Sequence, residues 1–158
     1  MMVALVTVAT MLIQVPIPAT EGFFNIGDAI IMVAALIFGP VIGFIAGGLG
    51  SSLADLLGGW YVWVIPTLLI KGTEGLLAGW IARTQRHRGL FGVVLAWAVG
   101  SLVMVFGYFA VQVALYGFEA ALVEMPFNVL QVTVGGVIGI PVSQAIQRRM
   151  FRAAPMTA

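Results

Sequence analysis

Apolar residues run through this chain in long blocks, broken by short polar or glycine-proline punctuation rather than alternating with polar residues. Blocks of that length predict helices, since half-buried strands would show a period of two. Six segments can be drawn, at about 2–16, 27–39, 41–57, 63–82, 90–116 and 125–147. A helix needs roughly 20 residues to cross a bilayer. The first two segments fall short and are expected to be tilted, broken or buried within the bundle. Gly39-Pro40 parts the second from the third, and Pro40 suits the first turn of a helix. The long fifth segment can tilt or extend past the membrane. The expected fold is all-α: one integral membrane domain over residues 1–158, a bundle of six transmembrane helices.

Composition agrees. The chain is 61% hydrophobic and 8% charged, with mean hydropathy +1.12, where a soluble domain carries about 25% charged residues. Residues 1–16 lack a basic n-region, so they read as a helix rather than a signal peptide. A net charge of +1 predicts no nucleic-acid partner. The absence of cysteine excludes disulfides, thiolate nucleophiles and cysteine metal sites, and a single histidine argues against a histidine site. No metal and no cofactor are expected.

Basic residues set the orientation. Arg83, Arg86 and Arg88 share one loop, and Arg148, Arg149 and Arg152 follow the last span. The positive-inside rule makes that side cytoplasmic. With six spans both termini are then cytoplasmic. The loops at 17–26, 58–62 and 117–124 face outside, and they carry Glu21, Glu119 and Glu124 but no lysine or arginine.

Against this apolar background, Lys71 and Glu74 stand out in the middle of the fourth span. A charge at a helix centre costs roughly 2.5–3.5 kcal/mol to insert, so an intramembrane pair is a functional-site hypothesis by default. The other polar groups gather in the outer half. Asn25 and Asp28 lie where the first outer loop enters the second span, and Asp55 ends the third. Tyr61 and Trp63 begin the fourth, with Lys71 about 12 Å deeper at 1.5 Å per residue. Tyr108 and Gln112 are one turn apart in the fifth, and Asn128 and Gln131 share one face of the sixth. Such a cluster, open outward and closed inward, suits a pocket filled from outside.

Structural roles compete at each position. Asp28 also suits an N-cap, Asp55 a helix end, Tyr61 and Trp63 an interfacial belt. Asn128 and Gln131 suit interhelical hydrogen bonding, and Lys71 with Glu74 a structural ion pair. Gly43-x-x-x-Gly47 and Ala46-x-x-x-Gly50 flatten one face of the third span, for packing within the bundle or for docking a partner. No nucleophile elbow, zinc-protease or nucleotide-binding motif occurs, so ATP-driven work would fall to another subunit.

Several motifs together carry a resemblance. They are Pro16-x-Pro18, Gly22-Phe23-Phe24-Asn25-Ile26-Gly27-Asp28-Ala29, Phe38-Gly39-Pro40-Val41-x-Gly43, Ala46-Gly47-Gly48-Leu49-Gly50-Ser51-x-x-Ala54-Asp55 and Thr67-Leu68-x-Ile70-Lys71-Gly72-x-Glu74-Gly75. The chain resembles the substrate-binding S components of energy-coupling factor transporters, nearest to the riboflavin-type branch. The motifs span about residues 1–82, and the helix pattern carries the remainder. The resemblance implies a subunit of a prokaryotic plasma-membrane ABC importer that captures a vitamin or related small molecule at the outer face. Riboflavin is the leading candidate through the branch label alone, with thiamine precursors, other B vitamins and lipoate-like compounds also open. It implies a lid over 16–26, and as partners a membrane-embedded T subunit and two cytosolic ATPases. Asn25, Asp28, Asp55 and Lys71 fall on pocket or lid positions. Phe23, Phe24, Tyr61 and Trp63 would supply aromatic cover. Members often dock the T subunit through an Ala-x-x-x-Ala motif in helix one. Here Ala4 and Ala9 are five apart, and the Ala4/Val8 and Leu5/Ala9 pairs each supply one small residue.

On this reading Lys71 offers a cation to an anionic or carbonyl-rich part of the ligand, and Glu74 keeps it charged in the empty site. Tyr108, Gln112, Asn128 and Gln131 supply directional hydrogen bonds. Two other classes fit the residues. A ligand-free membrane scaffold would bind no small molecule and show no thermal shift with any vitamin. A proton-coupled carrier using Lys71 and Glu74 would take up solute on a pH gradient without an ATPase.

Overall fold

The computed structural model describes residues 1–85, 87 and 89–153. Arg86, Arg88 and the side chain of Arg152, used above for orientation, lie outside the described residues. The elements in order are α1 (Met2–Leu12), β1 (Val15–Ile17), β2 (Gly22–Phe24), α2 (Gly27–Phe38), α3 (Pro40–Gly58), α4 (Val64–Thr84), α5 (Leu90–Tyr116) and α6 (Phe118–Ala153), with one 3-10 turn, Tyr61–Trp63, leading into α4. Four stretches, Pro40–Gly58, Tyr61–Thr84, Leu90–Tyr116 and Phe118–Arg149, are long and apolar enough to cross a membrane. The helices α1 and α2 are apolar but shorter, about 16–18 Å at 1.5 Å per residue, against a hydrocarbon core of roughly 30 Å.

Three expected boundaries change. The first helix stops at Leu12, and residues 15–24 form a hairpin instead of an irregular loop, pairing Val15 with Phe24, Pro16 with Phe23 and Ile17 with Gly22. The stretch 117–124 is not a loop. Gly117 alone joins α5 to α6, at φ 90°, a left-handed backbone that glycine adopts without strain. Glu119 thus falls in the first turn of α6, where a negative charge complements the helix dipole.

The short α2 is the axis of the bundle. It packs on α1, α3, α4 and α6, and only Ile30, Ile37 and Phe38 of its residues escape full burial. Ile31, Met32, Ala34 and Ala35 meet Val6, Ala46 and Ala78 in the main core. A second core, Ile70, Met104, Val105 and Val132, ties α4 to α5 and α6. The outer faces of the long helices carry Leu57, Ile65, Leu69, Leu102, Phe106 and Val137, all exposed. Exposed apolar side chains around the circumference are what a protein solvated by lipid tails presents.

Glycine sets the closest approach, between α3 and α4. A Cβ on Gly43 would strike the carbonyl of Gly75, and one on Gly75 would strike the carbonyl of Gly43. A Cβ on Gly47 would strike the carbonyl of Lys71, and one on Gly79 would lie 2.6 Å from Pro40 N. Gly43 and Gly47 are therefore spent on α4, and the reading of these two as a partner-docking face is corrected. Ala46 is buried in the core, and Gly50 faces Val6 of α1. Thr7 Oγ1 donates to Gly50 O at 2.8 Å, fixing α1 on α3. The other face of α1, with Ala4 and Val8, stays exposed, and Ala9 is half-buried.

The bundle has two unlike ends. At one lie the hairpin, Gly59-Trp60 and Gly117. At the other, Arg83 Nη2 donates to Phe38 O at 3.0 Å and Gln147 Nε2 to Leu36 O at 2.9 Å, satisfying carbonyls that the end of α2 leaves unpaired. Gly43→Ala and Gly75→Ala are each expected to lower thermal stability in detergent, by about 1–3 kcal/mol as for overpacked cores. Gly100→Ala, whose Cβ would find its nearest neighbours at 3.2 and 3.3 Å, should change the melting temperature much less.

Candidate functional site

Lys71 projects from the middle of α4 and is 2% exposed. Its ammonium is held by two carboxylates. Asp28, from the first turn of α2, pairs with it directly, and Glu74, one turn along α4, accepts at 3.1 Å. Asp28 does not cap its helix. Its second oxygen accepts from Gln131 Nε2 of α6 at 3.3 Å, and Gln131 Oε1 accepts from Asn25 N at 2.9 Å. Asn25 Oδ1 in turn accepts from Gly27 N at 2.9 Å, closing the turn into α2. One chain of polar contacts therefore joins α4, α2, α6 and the exit of the hairpin. Gly135 permits it, because a Cβ there would stand 2.7 Å from Asp28 Cβ.

The expected division of labour is revised by this geometry. Lys71 was to turn its charge to a ligand with Glu74 behind it. Asp28 now stands behind it as well, so two of its three N–H donors are taken and its charge is opposed twice. Its remaining side faces the ring of Tyr108, 5.7 Å from the centroid.

Above Lys71 lies a cavity of about 30 Å³ under the hairpin. Asn25, Asp55, Trp63, Lys71, Tyr108, Asn128 and Gln131, all singled out from the sequence, line it. Thr10, Gly22, Phe23, Ser51, Thr67 and Glu124 line it too. Five residues proposed for the site stand elsewhere. Asp28 and Glu74 lie behind Lys71; Phe24, on β2, and Gln112, fully buried on α5, are outside the lining; Tyr61 is 69% exposed on its 3-10 turn.

Aromatic rings close the top. Trp63 stacks on Tyr116 at 6.1 Å and meets Tyr108 at 5.7 Å, and Phe23 meets Trp60 at 5.1 Å. Trp63 Nε1 donates to Glu21 O at 2.8 Å, which pins the hairpin turn to the start of α4. Tyr108 OH donates to Thr67 Oγ1 at 2.9 Å. Buried polar atoms around this space lack partners in the chain: Asp55 Oδ2, Glu124 Oε2, Asn128 Nδ2, Thr10 Oγ1 and both amide atoms of Gln112. Native interiors leave few such atoms unpaired, and each calls for an explanation.

Sequence reasoning missed Thr10, Gly22, Ser51, Thr67 and Glu124 among the lining residues; Glu124, the one carboxylate among them, was placed in an outer loop. The signal was present. Ala121, Glu124, Asn128, Gln131 and Gly135 recur at spacings of three and four, one continuous helix face. Gly22 answers it from the hairpin, where a Cβ would lie 2.7 Å from Glu124 Oε1. Thr67 likewise precedes Lys71 by one turn of α4. Among the described residues no group of three His, Cys, Asp or Glu side chains stands together as a metal site.

A bundle of apolar helices enclosing a polar chamber under a hairpin is the build of a multi-pass membrane protein. The chain belongs to the family of ECF-type riboflavin transporter S components, whose model matches residues 1–148. It is a transport subunit of vitamin type, and the family is not one of enzymes. It is 44% identical over 147 residues to an uncharacterised protein in a gap 3′ region of Pyrococcus woesei, covering 92% of this chain and 96% of that protein. It is 34% identical over 146 residues to the thiamine precursor transporter HmpT of Lactococcus lactis subsp. cremoris, covering 92% and 82%. A UPF0397 protein of Streptococcus agalactiae is 28% identical over 152 residues.

Removing one partner of a buried ion pair leaves the other charge uncompensated, at a cost of about 3–5 kcal/mol. Lys71→Met strands two carboxylates. It is expected to lower the melting temperature in detergent more than Glu74→Gln, which leaves Lys71 paired with Asp28. The order of the two melting temperatures checks this.

Proposed function

We propose that this chain is the subunit of an energy-coupling factor importer that captures an aromatic vitamin or vitamin precursor in the chamber above Lys71. The single observation that carries this is the convergence of unpartnered buried polar atoms on a space walled by Phe23, Trp63 and Tyr108. A scaffold has no use for such atoms, whereas a ligand pairs them. Asn25, Asp55, Trp63, Lys71, Tyr108, Asn128 and Gln131 contact the ligand. Asp28 and Glu74 hold Lys71, Gln112 stands behind Glu124, and Phe24 and Tyr61 belong to the lid and its rim. Riboflavin is the solute in the family's description, and a thiamine precursor is the solute in HmpT's name. Both are flat heterocycles that suit aromatic walls.

Ligand pockets run to roughly 300–1,000 Å³, and the cavity here is about 30 Å³. The site is thus contracted, and the hairpin is the part that gives way on binding. It is held by a two-stranded ladder of three residue pairs, the Glu21–Trp63 hydrogen bond, the Asn25–Gln131 hydrogen bond, the Phe23–Trp60 contact and the buried Ile17 and Thr20. The hairpin end faces outside and both termini lie in the cytoplasm. Arg83, Arg148 and Arg149 at the opposite end support this orientation by the positive-inside rule. The short α1 and α2 complete six membrane-embedded helices in the plasma membrane of a prokaryotic cell. A membrane-embedded T subunit docks on the exposed Ala4 and Val8 face of α1, bordered by Ala9, and two cytosolic ATPases supply the energy.

Mass spectrometry of the detergent-purified protein should find a co-purifying vitamin or precursor, and adding that compound should raise the melting temperature. Protein that carries no small molecule and shifts with no vitamin sinks the proposal. Val8→Trp is expected to abolish co-purification with a T subunit while leaving ligand affinity within about twofold, since the side chain is 62% exposed and a larger apolar residue there stays compatible with lipid where a charge would not. Unchanged T-subunit recovery removes α1 as the docking face.

A further inference from the structure

The charges enclosed at this site do not balance. Asp28, Asp55, Glu74 and Glu124 are all buried, and Lys71 is the one buried lysine or arginine among the described residues. Lys71 is already shared by Asp28 and Glu74. Asp55 and Glu124, 3% and 4% exposed, line the space, neither forms a salt bridge with Lys71, and each has an oxygen without a hydrogen-bond partner. An ionised carboxylate is an acceptor only. Burying it alone costs several kcal/mol, and an opposite charge or hydrogen-bond donors offset that cost. An anionic or carbonyl-rich ligand would meet two more acceptors and little free positive charge, because Lys71 is already opposed twice.

We infer, resting on the vitamin-capture reading above, that the chamber selects a small aromatic heterocycle carrying positive charge or amino donors, with Asp55 and Glu124 as its specificity-determining residues. The pattern around Glu124 sharpens the chemistry. Asn128 lies one turn further along the same face of α6, and its Nδ2 is also unpartnered. A carboxylate and a carboxamide side by side offer an acceptor next to a donor. An amino group beside a ring nitrogen, as on an aminopyrimidine, presents the complementary donor and acceptor. Trp63 and Tyr108 line the same space and provide π-faces for a cationic ring. A single ring also demands less expansion of a contracted chamber than a tricyclic flavin with its polyol chain.

The test is ligand binding to the full-length protein in detergent, followed by tryptophan fluorescence and calorimetry. The probes are thiamine, its hydroxymethyl-aminopyrimidine fragment, riboflavin and riboflavin phosphate. Thiamine or the aminopyrimidine is expected to bind at least tenfold more tightly than riboflavin, and riboflavin phosphate most weakly. Asp55→Asn and Glu124→Gln, nearly isosteric changes that remove an unpaired buried charge, should each weaken the preferred ligand at least tenfold without lowering the melting temperature. The wild-type ranking stands as a readout on its own if either variant folds poorly. Tighter binding of riboflavin than of both amino compounds, or carboxamide variants that bind as wild type, overturns the inference and leaves vitamin capture intact. Binding of none of the four by a protein that co-purifies with no small molecule overturns both.

Discussion

A lysine ammonium in the middle of an apolar bundle has to be neutralised where it stands, and the arrangement around Lys71 organises the rest of this molecule. Desolvating an ammonium costs several kcal/mol, and attraction in the interior recovers that only with good geometry and further hydrogen bonds. Glu74 supplies one partner from the same helix. The other, Asp28, must be brought from α2, and this dictates where α2 sits. Gln131 then has to reach Asp28 from α6, and Asn25 has to present its backbone N–H to Gln131. The ion pair thus fixes the depth and rotation of three helices and the point at which the hairpin enters the bundle. A fully apolar core would hold the helices with less directional demand. The charged one fixes which faces meet.

Such an arrangement tolerates no slack in backbone distance. The α3–α4 contact, with Gly43 and Gly75 facing each other's carbonyls, draws the helix that carries Lys71 against the one that carries Asp55. Lipid tails are as apolar as the side chains they would replace, so this association relies on close packing rather than on expulsion of water. The same economy governs the hairpin, where Gly22 lets β2 settle onto Glu124 and Gly27 lets the chain pass Thr10. Small residues at these points give the chamber its walls. The polar residues give it its chemistry.

Much of this was legible in the chain. Lys71 and Glu74 at a spacing of three, and Asn128 and Gln131 likewise, declare shared faces because a helix repeats every 3.6 residues. The gathering of polar residues in one half of the spans matches the cavity's lining, where Asn25, Asp55, Trp63, Lys71, Tyr108, Asn128 and Gln131 meet. Asp28 as the partner of Lys71 was not legible, since the two are 43 residues apart and local pattern favours a cap for an aspartate entering a helix. Glu124 was hidden for a related reason. Charge near a span boundary reads as solvated loop, and only the spacing back from Gln131 through Asn128 shows that α6 starts early. The hairpin carries two prolines and a short ladder, too little for periodicity to register.

The unpaired polar atoms bear on why the chamber is small. An open cavity of vitamin size, lined by Asp55, Glu124, Asn128 and Thr10, would fill with water that a ligand must then displace. On the proposed reading, a contracted chamber under the hairpin would keep those groups partly desolvated before the ligand arrives. Groups that lack partners in the empty site gain more from a correctly placed donor than groups already satisfied, because the cost of their burial has been met in the fold. The same groups reject a ligand that cannot pair them, since a buried acceptor left unpaired costs about 1–3 kcal/mol. On the proposed reading, affinity and discrimination would come from one source, the polar atoms the fold leaves unanswered, and the hairpin would have only to open far enough for a ligand to answer them.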